Sequence, residues 1–166
     1  MWSHGSRSAR LQIDLTTPRG EVLQVALQAK SKRQSVSLAK FEMTADFEDL
    51  ITGTMTSPGG PVWAFEFQNL VPLLARQSNA RGRIQLPGGG VIDVAFTEDT
   101  VPSKSGYRRL FDRVSVAFLR DGRRVGLLDG CIKPSVWIDP QTDEQTQHAI
   151  AASCTALVEL SHLDRK

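Results

Sequence analysis

The chain has 166 residues, of which 40% are apolar and 23% charged, with a formal net charge of +2, a balance that excludes a disordered, collagen-like or coiled-coil chain. One domain of this length buries enough surface to do without disulfide or metal staples. No apolar run reaches the roughly 20 residues that cross a bilayer, and the opening MWSHGSRSAR lacks the apolar stretch of a secretion signal. That favours a cytoplasmic chain, with an exported mature fragment as the alternative.

Residues 1–10 read as a disordered or tag-derived terminus, ahead of a single domain over 11–166. From there the apolar period is two. Leu11, Ile13 and Leu15 alternate with polar neighbours, Thr16-Thr17-Pro18-Arg19-Gly20 forms a turn, and Leu23, Val25, Leu27 and Ala29 alternate again, which predicts a hairpin. Lys30-Ser31-Lys32-Arg33 reads as a basic turn before a run with Ala39, Phe41, Met43, Ala45 and Phe47 on one face. Residues 50–56 form a further strand, with Gly53 as a bulge signal. After the break at Ser57–Pro61, Trp63, Phe65 and Phe67 make an aromatic strand face.

The period then changes. Asn69 as N-cap, Pro72 in the first turn and a Leu70, Leu73, Leu74 stripe predict a short helix over 70–77. Ile84 and Leu86, then Ile92, Val94 and Phe96, flank Pro87-Gly88-Gly89-Gly90 as a second hairpin. Residues 107–119 carry both a helical stripe and a β alternation. The β-branched residues and the Asp121-Gly122 turn favour a strand hairpin through 128. Residues 134–138 add a short strand. Thr142-x-x-Gln145 is a capping box opening a helix over 142–162, whose Ile150, Cys154, Leu157, Val158 and Leu160 share one arc. The expected fold is α+β and mainly antiparallel: a sandwich or strongly curved sheet of about eight strands, with the C-terminal helix packed on it.

Charge is distributed in blocks. Residues 1–40 carry seven basic and two acidic groups, 41–100 three and eight, 101–140 eight and four, and 141–166 two and four. Nucleic-acid binding wants one contiguous basic face, so this alternation disfavours it. Cys131 and Cys154 lack metal-ligand spacing and read as two buried thiols, with a disulfide between them as the alternative for an exported chain.

No convergent catalytic set stands out. His148 and His162 lie about 21 Å apart on one helix and face outward, and Cys154 falls on the buried arc, away from His148. The glycine clusters Gly59-Gly60 and Gly88-Gly89-Gly90 run into strands and read as turns rather than phosphate loops. Glu42, Asp46, Glu48 and Asp49 form the densest carboxylate run, without the spacing of a calcium loop. Among the arginines, Arg120, Arg123 and Arg124 cluster at the hairpin tip, with Arg113 nearby. Arginine forks carboxylates and is enriched at interfaces. The expectation is therefore a non-catalytic protein-binding or assembly module with no cofactor or metal. Its contacts would be Arg113, Arg120, Arg123 and Arg124, the carboxylates of 42–49, or both, and self-association fits the same picture. The alternatives are a sugar- or lipid-binding sheet using the aromatic faces, including Trp137, and an enzyme using Asp46, Glu48 or Asp49.

Overall fold

The computed structural model describes residues 2–38, 41–58, 60–68, 81–97, 115–129 and 134–163. In these ranges the chain forms nine strands and one helix: β1 (Trp2–Thr16), β2 (Val22–Leu38), β3 (Phe41–Thr56), β4 (Val62–Gln68), β5 (Arg81–Gln85), β6 (Val91–Thr97), β7 (Ser115–Arg120), β8 (Arg123–Asp129), β9 (Ser135–Ile138) and α1 (Glu144–Leu163). The strands lie side by side in chain order in one sheet, each antiparallel to the next. The expected helix over 70–77 falls outside the described residues.

The first three strands are longer than their apolar alternation suggests. β1 begins at Trp2, inside the stretch that reads as disordered, and pairs with β2 as far as Val36. Lys30-Ser31-Lys32-Arg33 is mid-strand in β2 rather than a turn, so the two strands expected over 39–56 are one continuous β3. The reason is physical: a strand is held by its backbone pairs as well as by an apolar face, and a run of polar and basic residues does not break those pairs. The register slips between Gln34 and Ser35, which pair with Asp46 and Thr44 and leave Ala45 as the extra residue of a bulge. That slip puts positions 41 and 43 out of phase with 47. Gly53, the expected bulge, sits in regular register opposite Leu27. A Cβ there would lie 2.4 Å from Leu27 Cδ2 and 2.3 Å from the Ala26 carbonyl oxygen, so the glycine makes room for Leu27.

β4 pairs only with Leu50–Thr56 of β3. Beyond that point the first three strands continue as a three-stranded ribbon made of residues 2–7, 31–38 and 41–49. At about 3.3 Å per residue, nine residues of strand reach roughly 30 Å.

The core lies between one face of the sheet and α1. Ile51, Met55, Trp63, Phe65, Phe67, Ile84, Ile92 and Phe118 are buried in one cluster with Ile150, Leu157 and Leu160 of the helix. α1 meets both edge strands, β1 and β9. The buried side of α1 is wider than the expected arc, because Thr146, Ala149, Ala152, Ser153 and Ala156 are also buried. These small side chains let the helix lie close against the sheet. Gly126 on β8 does the same from the sheet side: a Cβ there would meet Ile150 Cγ2 at 2.9 Å and Cδ1 at 3.0 Å. Ser115, Ala117, Leu127 and Asp129 are buried as well, although they alternate with the core-facing Val116, Phe118 and Leu128, so β7 and β8 are covered on both faces.

Candidate functional site

The β7–β8 hairpin turns at Asp121-Gly122, whose φ values of 53° and 74° suit a two-residue turn with both central residues left-handed. Arg120 and Arg123 pair across that turn, as the sequence predicts. A bulge between Phe118 and Leu119 leaves Val125 without a register partner. Its carbonyl accepts a hydrogen bond from the Asp139 amide at 2.9 Å, tying the hairpin to the turn that leads into α1.

The two arginines are engaged by that same turn. Arg123 Nη2 donates to Asp139 Oδ2, and Arg120 Nη1 donates to Asp143 Oδ2 and, at 2.6 Å, to Thr146 Oγ1. Asp143 caps the helix, its Oδ1 accepting the Thr146 amide at 2.9 Å. The cap is therefore one residue later than the Thr142 of the expected capping box. Thr142 instead donates its hydroxyl to the Asp139 carbonyl at 2.7 Å. A carboxylate that serves both the helix N-terminus and a guanidinium is the stronger acceptor. Asp139 is held below the ordinary aspartate range by the Gln141 amide and, further, by Arg123. Partial burial pushes Asp143 up, but the Thr146 and Arg120 hydrogen bonds outweigh it and the net direction is down.

Further ties reach the same helix end. Trp63 Nε1 donates to the Gln145 carbonyl at 3.2 Å, and Arg19 of the β1–β2 turn lies 3.2 Å from Glu144. The arrangement is a clamp seating the helix N-terminus on the β1–β2 and β7–β8 turns and on β4. Arg124 is exposed beside it, opposite Leu119, and Arg113 lies outside the described residues.

The acidic run takes a different position. Glu42, Asp46, Glu48 and Asp49 all lie on β3 in the ribbon, opposite Ser37, Gln34, Lys32 and Ser31 of β2. Among the described residues, no strand pairs with the other edge of 41–49. The acidic run and the arginine tip are thus separate places.

The remaining candidates resolve individually. Trp63, Phe65 and Phe67 are buried in the core, and Trp137 is half-buried. Cys154 is a free, fully buried thiol whose pKa burial pushes up, and Cys131 falls outside the described residues. His148 is more covered than its outward position suggests, with 17% side-chain exposure and its Nε2 3.9 Å from Glu144 Oε1. Among the described residues, no three His, Cys, Asp or Glu side chains form a metal-ligand set, and no helix is long and apolar enough to cross a membrane. An open depression of about 580 Å³ on the outer side of β4–β6 is lined by Glu66, Arg81, Arg83 and Asp93. Its arginines are matched from within: Arg83 lies 3.5 Å from Asp93, and Arg81 Nε donates to Gln68 Oε1 at 2.8 Å.

Sequence reasoning missed Asp139, Asp143 and Thr146 as partners of the arginines. The available signal was two aspartates spaced across a Pro-turn before a helix, with basic residues flanking an Asp-Gly turn upstream. Comparison with protein-family models, with curated proteins and with solved structures finds no match.

Proposed function

We propose that the chain is a non-catalytic assembly module that binds another protein through the acidic edge of β3. The observation that carries this reading is the unpartnered stretch 41–49, among the described residues, with four carboxylates and no basic residue. A strand edge without a pairing strand is a template for strand addition, and charge on it repels indiscriminate pairing while selecting a basic partner. The arginine tip supports the reading less, since Arg120 and Arg123 are engaged by the chain's own carboxylates. The aromatic strand supports a sugar or lipid site less still, since its rings are core.

The test is affinity capture from the native host's lysate with and without nuclease, comparing the wild-type chain with Glu42→Lys, Asp46→Lys, Glu48→Lys and Asp49→Lys combined. A stoichiometric protein held by the wild type and lost with the reversed edge supports the proposal. Capture of nucleic acid instead, or a partner indifferent to the reversal, overturns it.

A further inference from the structure

We infer that the partner of the acidic β3 edge is a second copy of this chain, which adds the N-terminal part of its own β1 to residues 41–49. This rests on the reading of that edge as the contact and identifies what covers it.

Three edges could take part. β9 is a poor template, being four residues long and flanked by Pro134 and Pro140, which have no N–H to offer. The outer edge of β1 and the 41–49 edge of β3 bound the ribbon on its two sides, and among the described residues neither pairs with a further strand there. Charge decides between the pairings. Residues 2–10 carry Arg7 and Arg10 and no carboxylate, whereas 41–49 carry four carboxylates and no cation. β3 against β3 opposes carboxylates to carboxylates, and β1 against β1 opposes arginines to arginines. Only β1 against β3 is attractive, and like-charge juxtaposition penalises the other two.

The fold also fixes direction. β1 and β3 each run antiparallel to β2, so they run the same way in the ribbon. A second copy approaching in that direction would drive its residues 11–16 into β4, which flanks 50–56. Turned end for end, its residues 11–16 run past the ribbon tip, and the added strand is antiparallel to β3. The contact joins two different edges, so each copy keeps one of each type open, and the assembly grows as a ring or filament rather than stopping at a symmetric dimer.

The experiment is sedimentation velocity on the full chain over a concentration series, at about 50 mM and about 500 mM salt. Circular dichroism checks the fold of every variant. Expected are species beyond the dimer, with apparent affinity falling about tenfold or more at the higher salt. Arg7→Glu with Arg10→Glu should give monomer, and so should Glu42→Lys with Asp46→Lys and Glu48→Lys. Both sets in one chain should restore assembly, because the attraction is then reversed rather than removed. A monomeric wild type, assembly strengthened by salt, or a combined variant that stays monomeric overturns the proposal. An alternating Lys-Val peptide of about nine residues separates the two levels. If the wild type is monomeric but binds this peptide in a way the β3 reversal abolishes, self-pairing fails while the acidic-edge reading stands. If neither association occurs, both fail.

Discussion

Gly126→Ala perturbs the seat of α1 on the sheet with the smallest change available. The new Cβ would sit 2.9 and 3.0 Å from two Ile150 carbons and 3.4 Å from Phe118 Cδ2, with Ile150 and Phe118 both fully buried. Overpacking of this kind costs about 1–3 kcal/mol. Replacing glycine also restricts the unfolded chain, which returns about 0.4–1 kcal/mol. A net loss of about 1–2 kcal/mol is expected, or about 2–4 °C in Tm per kcal/mol for a chain of this size. Ile150→Ala removes both close carbons and alone costs about 2–5 kcal/mol through the cavity it leaves. On that background Gly126→Ala should be neutral or stabilising, because its methyl enters the vacated space, giving a coupling of about 1–3 kcal/mol. Urea unfolding of the four chains, with an unchanged m-value, measures the cycle. Equal cost of Gly126→Ala in both backgrounds would refute the packing argument.

The clamp makes predictions of its own. Asp143→Ala removes the helix cap and the Arg120 partner together and should cost about 1–2 kcal/mol in urea unfolding, with Asp143→Asn recovering part of the loss as a neutral cap. Arg120→Ala should cost less, about 1 kcal/mol, since both partners are substantially exposed. Asp139 and Asp143 both have pKa values below the ordinary aspartate value. Their contribution is therefore complete above about pH 4 and is lost as pH falls through their folded values. Urea midpoints across acid pH should fall less steeply for Asp139→Asn with Asp143→Asn than for the wild type, and parallel curves would contradict this. The Cys154 thiol should resist aromatic disulfide reagents in the native state and react only as fast as the chain opens, a rate that urea should raise.

Where a residue's neighbours in sequence are also its neighbours in space, the fold was legible. Leu23, Val25 and Leu27, Trp63, Phe65 and Phe67, and the Asp121-Gly122 turn all follow from a local period or turn preference. The full length of the ribbon was not legible, because Lys30-Ser31-Lys32-Arg33 reads as a turn by composition, while its place mid-strand follows from backbone pairing with β1 and β3. Nor was the clamp: Arg123 and Asp139 are sixteen residues apart and Arg120 and Asp143 twenty-three, so the basic tip seen in the sequence meets its carboxylates only once α1 docks. The width of the buried face of α1 was hidden for a similar reason, since alanine and serine carry a weak apolar signal yet permit the closest approach. The acidic run was visible as composition, but its place on a strand edge depends on where β4 stops.

Amide hydrogen exchange across Phe41–Asp49 tests the assignment of that edge most directly, comparing the chain alone at high salt with the complex captured at low salt. The amides that point away from β2 should exchange about tenfold or more slowly in the complex, while Gln24–Leu27, already paired on both sides, should not change. Unaltered exchange across 41–49 in a complex that has demonstrably formed would contradict it.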